Sequence, residues 1–228
     1  MLIIVDKKAP GKAKDSLSEY GDVIELETTG ITYDAISGHP DIFFHKSENK
    51  LIVAPNLPGK YMEKIMASEP EVIKGEQDVG EKYPASSAYN AVSTANLLIH
   101  NFRNTDSSIT RLLEDADLIH VDQGYTRCNL LALSDEHFIS SDTGIARVLG
   151  RFDKDCLYVN PEGILLEGFK HGFIGGCCGI KDNKVFILGS LAYLNDGAVM
   201  QQYLQDQGFE TIELYDGPLF DGGSILFI

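Results

Sequence analysis

At 228 residues, the chain is long enough to bury one sizeable core, and its 43 % hydrophobic and 23 % charged content is that of an ordinary globular protein. A net charge of −15, with no Lys/Arg stripe to neutralise phosphates, argues against nucleic acid or an anionic membrane as partner. No apolar run approaches the roughly 18 residues that span a bilayer, and Met1–Asp6 lacks a basic lead-in and a cleavage site, so a cytoplasmic protein is expected.

In chain order, Leu2–Val5 reads as a strand, followed by Ala9-Pro10-Gly11-Lys12 and a second β-rich run from Val23 to Leu26. His39-Pro40-Asp41 then opens the apolar stretch Ile42-Phe43-Phe44, taken as a strand. Ser47-Glu48-Asn49-Lys50 reads as a hairpin turn, with Asn able to take positive φ. Leu51-Ile52-Val53 follows as a strand, and Leu57-Pro58-Gly59-Lys60 repeats the earlier Ala9–Lys12 phrase ahead of a helix over 60–68. The same cycle of strand, polar turn, strand, helix and strand recurs three more times. Its second strands begin at Leu97, Phe138 and Val185, and its helices fall near 106–115, 143–151 and 197–207. Asp106 is the expected N-cap of the first of these helices. The last is expected to carry Val199, Met200, Tyr203 and Leu204 on one face and to stop at Gly208.

Each cycle ends in a β-rich run, a polar pair and a glycine: Gly30, Gly80, Gly124, Gly163 and Gly217, spaced by 50, 44, 39 and 54 residues. Periods in this range mark repeat architectures whose units cannot bury their own apolar faces alone. The two ends supply the parts of a fifth unit. Leu2–Val5 is a second strand with nothing before it, and Ser224–Ile228 is a first strand with nothing after it. Pairing them would close a ring and leave no open edge. The fold expected is therefore α/β, a single five-bladed α/β propeller over residues 1–228, built from pseudo-five-fold ββαβ repeats.

Five such units resemble the pentein fold of the guanidino-group modifying enzymes. Two local cues add to the resemblance. His39-Pro40-Asp41 looks like the acidic position that opens an early blade, and Asp221-Gly222-Gly223-Ser224 looks like the glycine-rich approach to a catalytic strand. In arginine deiminases, dimethylarginine hydrolases and amidinotransferases that strand delivers a nucleophilic cysteine, which would fall near Phe227. The family's histidine would fall near Arg127-Cys128-Asn129. This chain has neither residue at those places.

In that geometry the start of each first strand lines a central channel. The expected pocket residues are His39, Asp41, Tyr89, Asn90, Cys128, Asn129, Cys177, Cys178, Asp221 and Ser224. A carboxylate such as Asp41 or Asp221 can grip a guanidinium or ammonium group through charge-assisted hydrogen bonds. The reading that follows is a divergent pentein that binds a small cationic metabolite, guanidino or amino-acid-like, without the usual cysteine-dependent hydrolysis. The alternative is an amidinohydrolase or amidinotransferase-like enzyme. There Cys177 or Cys178 in Gly175-Gly176-Cys177-Cys178-Gly179 is a relocated nucleophile, and His39 or His171 carries the proton. A protein-binding scaffold is the third, since the same fold serves as a ribosomal anti-association factor. The four cysteines are too sparse for a disulfide framework and show no zinc-ligand spacing, so neither metal nor cofactor is expected.

Overall fold

The computed structural model describes residues 1–68 and 71–228. The chain opens with β1 (Leu2–Asp6), α1 (Gly11–Ser18) and β2 (Asp22–Leu26). There follow α2 (Pro40–Phe43), β3 (Phe44–Ser47), β4 (Lys50–Val53), α3 (Gly59–Met66) and β5 (Glu71–Lys74). A third group comprises β6 (Val92–Ser93), β7 (Leu97–His100), α4 (Ser107–Leu112) and β8 (Asp117–His120). A fourth comprises α5 (Thr126–Asn129), β9 (Leu130–Ala132), β10 (His137–Ser140), α6 (Thr143–Arg151) and β11 (Asp155–Tyr158). The last comprises a 3₁₀ turn at Gly175–Cys177, β12 (Cys178–Lys181), β13 (Lys184–Ile187), α7 (Gly197–Asp206), β14 (Glu210–Glu213) and the short β15 (Leu226–Phe227).

These strands make five three-stranded sheets, among them β3-β4-β5, β6-β7-β8, β9-β10-β11 and β12-β13-β14. In each, the first strand pairs antiparallel and the third parallel to the central one, the third being reached through a helix. The fifth sheet is β15-β1-β2, in which Ile3 pairs with Phe227 and Ile4 with Leu226. The backbone amides of Leu2 and Ile228 each donate to the other's carbonyl. The two chain ends thus complete one sheet together, and no helix is long and apolar enough to cross a membrane among the described residues.

Central strands are apolar runs because both their faces are covered: Leu2–Val5, Leu51–Val53, Leu97–Ile99 and Val185–Ile187 are buried throughout. The third strands are only half covered, and Leu118 and Tyr158 stand exposed. Helices α1 and α3 begin alike, each after a proline with helix-like φ and extended ψ: Pro10 at −52°, 135° and Pro58 at −57°, 131°. Asp106 caps α4, its side chain accepting from the Ser108 amide at 2.9 Å.

Three local expectations are corrected. The residues after Pro40 form one turn of helix before β3, because Pro40 at the first helical position fixes φ and needs no donor. In the β3–β4 turn the residue with positive φ is Glu48, at 52°, rather than Asn49. Val199 is exposed on α7, whose packed face carries Met200 and Leu204.

Candidate functional site

Four backbone devices bring the first strands together at their starts. Strand β3 lies beside β6, β6 beside β9, and β12 beside β15. Helix α5 packs on the 175–177 turn. The amide of Asp41 donates to the Gly223 carbonyl at 3.1 Å, tying α2 to the approach of β15, and the amides of Gly222 and Ser224 both donate to the Gly176 carbonyl. Glycine is required at two of these crossings. A Cβ on Gly176 would strike the Asp221 carboxylate, and Gly223, at φ +65°, would press one into His39.

The result is a buried polar centre. Asn90 donates through Nδ2 to the Asp41 carbonyl at 3.1 Å and toward Cys128 Sγ at 3.4 Å, while its Oδ1 accepts from the Cys128 amide at 3.1 Å. The Cys128 thiol donates to Asp41 Oδ2 at 2.9 Å. His39 Nε2 stands 3.7 Å from Asp6 Oδ2, and both residues are 1 % exposed. Asp221 accepts from the amides of Gly223, at 3.1 Å, and Phe173, at 2.9 Å. Four polar atoms here have no hydrogen-bond partner among the described residues: Asp6 Oδ2, both ring nitrogens of His39, and Asp41 Oδ1.

Burial sets the protonation states. It pushes Asp221 up to about 8, with the neighbouring Asp41 charge adding to the effect, and Asp6 up to about 6. Asp41 also moves up, chiefly by burial. Burial drives His39 down to about 3, so its imidazole is neutral, and lifts the Cys128 thiol well above its usual range.

On one side of this centre lies a cavity of about 210 Å³. Asp41 and Ser224 reach it, and Lys46, Arg127, His45 and Ser93 line its wall. Arg127 spends its guanidinium on the carbonyls of Gly175, at 3.2 Å, and Cys178, at 3.4 Å. Neither Arg127 nor Lys46 forms a salt bridge among the described residues. A wider groove of about 760 Å³ opens elsewhere, over Asp6, Gly38 and Lys8.

The model of the family of unknown function DUF6873 matches residues 4–226. The chain belongs to the DUF6873 family. No curated protein sequence matches it. Among solved structures, this DUF6873 protein is similar to DDAH from Pseudomonas aeruginosa complexed with citrulline, with TM-score 0.60, 10 % identity, and 93 % of this chain and 91 % of that one covered. It is similar to an agmatine deiminase from C. jejuni, at TM-score 0.58 and 8 % identity over 92 % and 86 % of the two chains. It is also similar to SxtG, an amidinotransferase of saxitoxin biosynthesis from Microseira wollei, at 0.52 and 12 % over 92 % and 87 %. Its α/β fold is that of the pentein superfamily.

Of the residues singled out from sequence, His39, Asp41, Asn90, Cys128 and Asp221 meet at the centre of this DUF6873 protein, and Ser224 lines the cavity. Tyr89 does not join them. It is buried with its hydroxyl on Asp106 Oδ2 and the Gln77 carbonyl. Asn129 ties Tyr125 to Ser141 instead of facing a ligand space. Cys177 and Cys178 lie in an apolar cluster with Leu131, Ile139 and Ile187. None of the four cysteines lines the cavity, and burial lifts Cys178 to about 12 and Cys177 well above its ordinary range. A nucleophile needs the thiolate, which this environment opposes. His171 packs edge-on against Phe173, with Nδ1 3.0 Å from the Gly172 carbonyl.

Sequence reasoning missed Asp6, Lys46 and Arg127. Asp6 follows four apolar residues at the end of β1, which was the one available signal that a charge there is drawn inward. It also missed that His39, Asp41 and Cys128 place metal-ligating atoms within 4.8 Å of one another, because the three lie on two segments far apart in sequence.

Proposed function

We propose that this chain binds a small amino-acid-like cation of the guanidino or amine class in the cavity at the centre of a closed five-bladed propeller, without cysteine-dependent hydrolysis. One observation carries the reading. Asp41, buried and with Oδ1 unpartnered among the described residues, reaches a cavity whose wall also holds Arg127 and Lys46, neither of which forms a salt bridge among the described residues. A ligand with a cationic head and an anionic tail satisfies both ends at once. The volume, about 210 Å³, suits a molecule of amino-acid size. The neighbouring structures include a citrulline complex and an agmatine deiminase, so guanidino and ureido ligands are the first to try.

The test is thermal denaturation of chelator-treated protein with free arginine, citrulline and agmatine. A ligand at a hundred times its Kd stabilises by about 2.7 kcal/mol. Arginine is expected to raise Tm more than agmatine, which lacks the carboxylate for Arg127 and Lys46. Asp41→Asn should remove the arginine shift, and Arg127→Ala should erase the advantage of arginine over agmatine. If none of the three raises Tm, or Asp41→Asn responds like the unmodified protein, the reading is wrong.

A further inference from the structure

The polar centre holds more than the cavity ligand uses. His39 is 1 % exposed, and neither ring nitrogen has a hydrogen-bond partner among the described residues. An imidazole always carries at least one N–H, and when neutral one lone pair as well, so a buried ring with both idle is missing partners on two sides. One side is accounted for. Asp6 Oδ2, equally orphaned, stands 3.7 Å from His39 Nε2, a gap that a small rotation of either side chain closes.

The ring also stands beside Asp41 and Cys128. One ligating atom from each of His39, Asp41 and Cys128 lies within 4.8 Å of the others. Three ligands of a tetrahedral zinc ion, with bonds of 2.0–2.3 Å, sit about 3.5 Å apart, so the triangle is already close to the size required. The geometry points to a transition-metal site, filled by Zn²⁺, with His39, Asp41 and Cys128 as ligands and Asp6 as the carboxylate that orients His39.

The contacts of Cys128 fit that occupant. Today a proton links Cys128 Sγ to Asp41 Oδ2 at 2.9 Å. The metal takes that place, with Cys128 as thiolate and Asp41 bound through the same oxygen. Asn90 Nδ2, 3.4 Å from Cys128 Sγ, then donates to a metal-bound sulfur, and its Oδ1 holds the Cys128 amide so that the sulfur cannot swing away. One His39 nitrogen binds the ion and the other gives its N–H to Asp6, the carboxylate–histidine–metal arrangement that fixes ring orientation. A thiolate, an imidazole and a carboxylate together are a borderline-soft set suited to Zn²⁺ rather than Mg²⁺ or Ca²⁺. Three protein ligands leave a fourth position open. The inference stands apart from the metabolite reading, because the metal needs His39 and Cys128, which do not line the cavity, and the metabolite needs Arg127 and Lys46, which are not among the three ligands.

The test uses the 228-residue chain stripped with chelator and then given Zn²⁺ or Co²⁺ alone. Expected are one metal per chain by elemental analysis and, with Co²⁺, a near-ultraviolet thiolate-to-metal charge-transfer band. Cys128→Ser should lose the band and bind Zn²⁺ at least 100-fold more weakly. Asp6→Asn, which keeps all three ligands, should weaken binding 10- to 100-fold. Cys156→Ser, remote from the centre, should change neither. Unmodified protein that takes up no stoichiometric metal, or whose Co²⁺ form lacks the band, overturns the inference whatever the variants do, as does Cys128→Ser binding as tightly as the parent. The metabolite titrations are run on stripped protein, so either idea can fail alone.

Discussion

Asp221 shows how a single residue can set a pH response. Its folded pKa, about 8, lies well above the ordinary carboxyl value, so between those limits the folded chain holds a proton that the unfolded chain has released. Stability therefore falls as pH rises through that window, by at most about 1.4 kcal/mol per pH unit. Urea unfolding from pH 6.5 to 8 should show the decline, and Asp221→Asn should flatten it. A slope unchanged in the variant would mean that another group carries the proton. Gly223→Ala is expected to cost more than about 1 kcal/mol, since φ is +65° and the new methyl meets His39. A melting curve matching the parent's would contradict that. The sequence pointed to His39, Asp41 and Asp221 because each sits in a short phrase whose proline or glycines announce an unusual backbone. Nothing local distinguished Lys46 or Arg127. They matter through where two segments far apart in the chain deliver them, and residue spacing along one segment carries no trace of that.

The elements were legible wherever period and cap agreed. The matching Pro-Gly-Lys starts of α1 and α3, and the runs that became β4, β7, β10 and β13, could be read directly because a covered central strand is apolar on both faces. The turn α2 was hidden because Ile42, Phe43 and Phe44 have equal claim to a strand, and only Pro40 tips the first two into a helical turn. The cap of α4 shows how an element is tied to its neighbour. Burial works against the Asp106 carboxylate, but hydrogen bonds from Ser108 and from the Gln77 and Glu76 amides outweigh it and hold its pKa below the usual range. Those amides lie 2.7 and 3.0 Å from Oδ2. Asp106→Ala removes the cap and strands both, at an expected loss of about 2–4 kcal/mol. Because the folded pKa is depressed, this contribution is present above the unfolded value and fades as acid lowers the pH through the folded one. Chemical denaturation at pH 7 measures the loss, and a change below about 0.5 kcal/mol would show that the loop finds other partners.

Across the whole molecule, buried histidines and buried acids oppose each other. Burial lowers His39 to about 3, and His45 and His100 to about 4, so all three stay neutral in the fold while the unfolded chain protonates them below its own value near 6.5. Stability from this source is full above that pH and is lost as pH falls toward 4. Asp6, Asp41 and Asp221 act in the reverse sense, losing stability as pH rises. Above about pH 9 the thiols join the acids, since burial lifts Cys156 and Cys178 to about 12 and they ionise first in the unfolded chain. A denaturation series should therefore peak near pH 6–7 and fall on both sides; a maximum above pH 9 would contradict these burials. The pairing of β15 with β1 bears on how the protein is made. Leu2–Asp6 leaves the ribosome long before Leu226–Phe227, so the sheet they share waits with one edge bare. Partners this distant in sequence are slow to find each other. A nascent chain stalled before Leu226 should be far more open to protease than its lost length suggests, because a strand made early is among the last to be made safe.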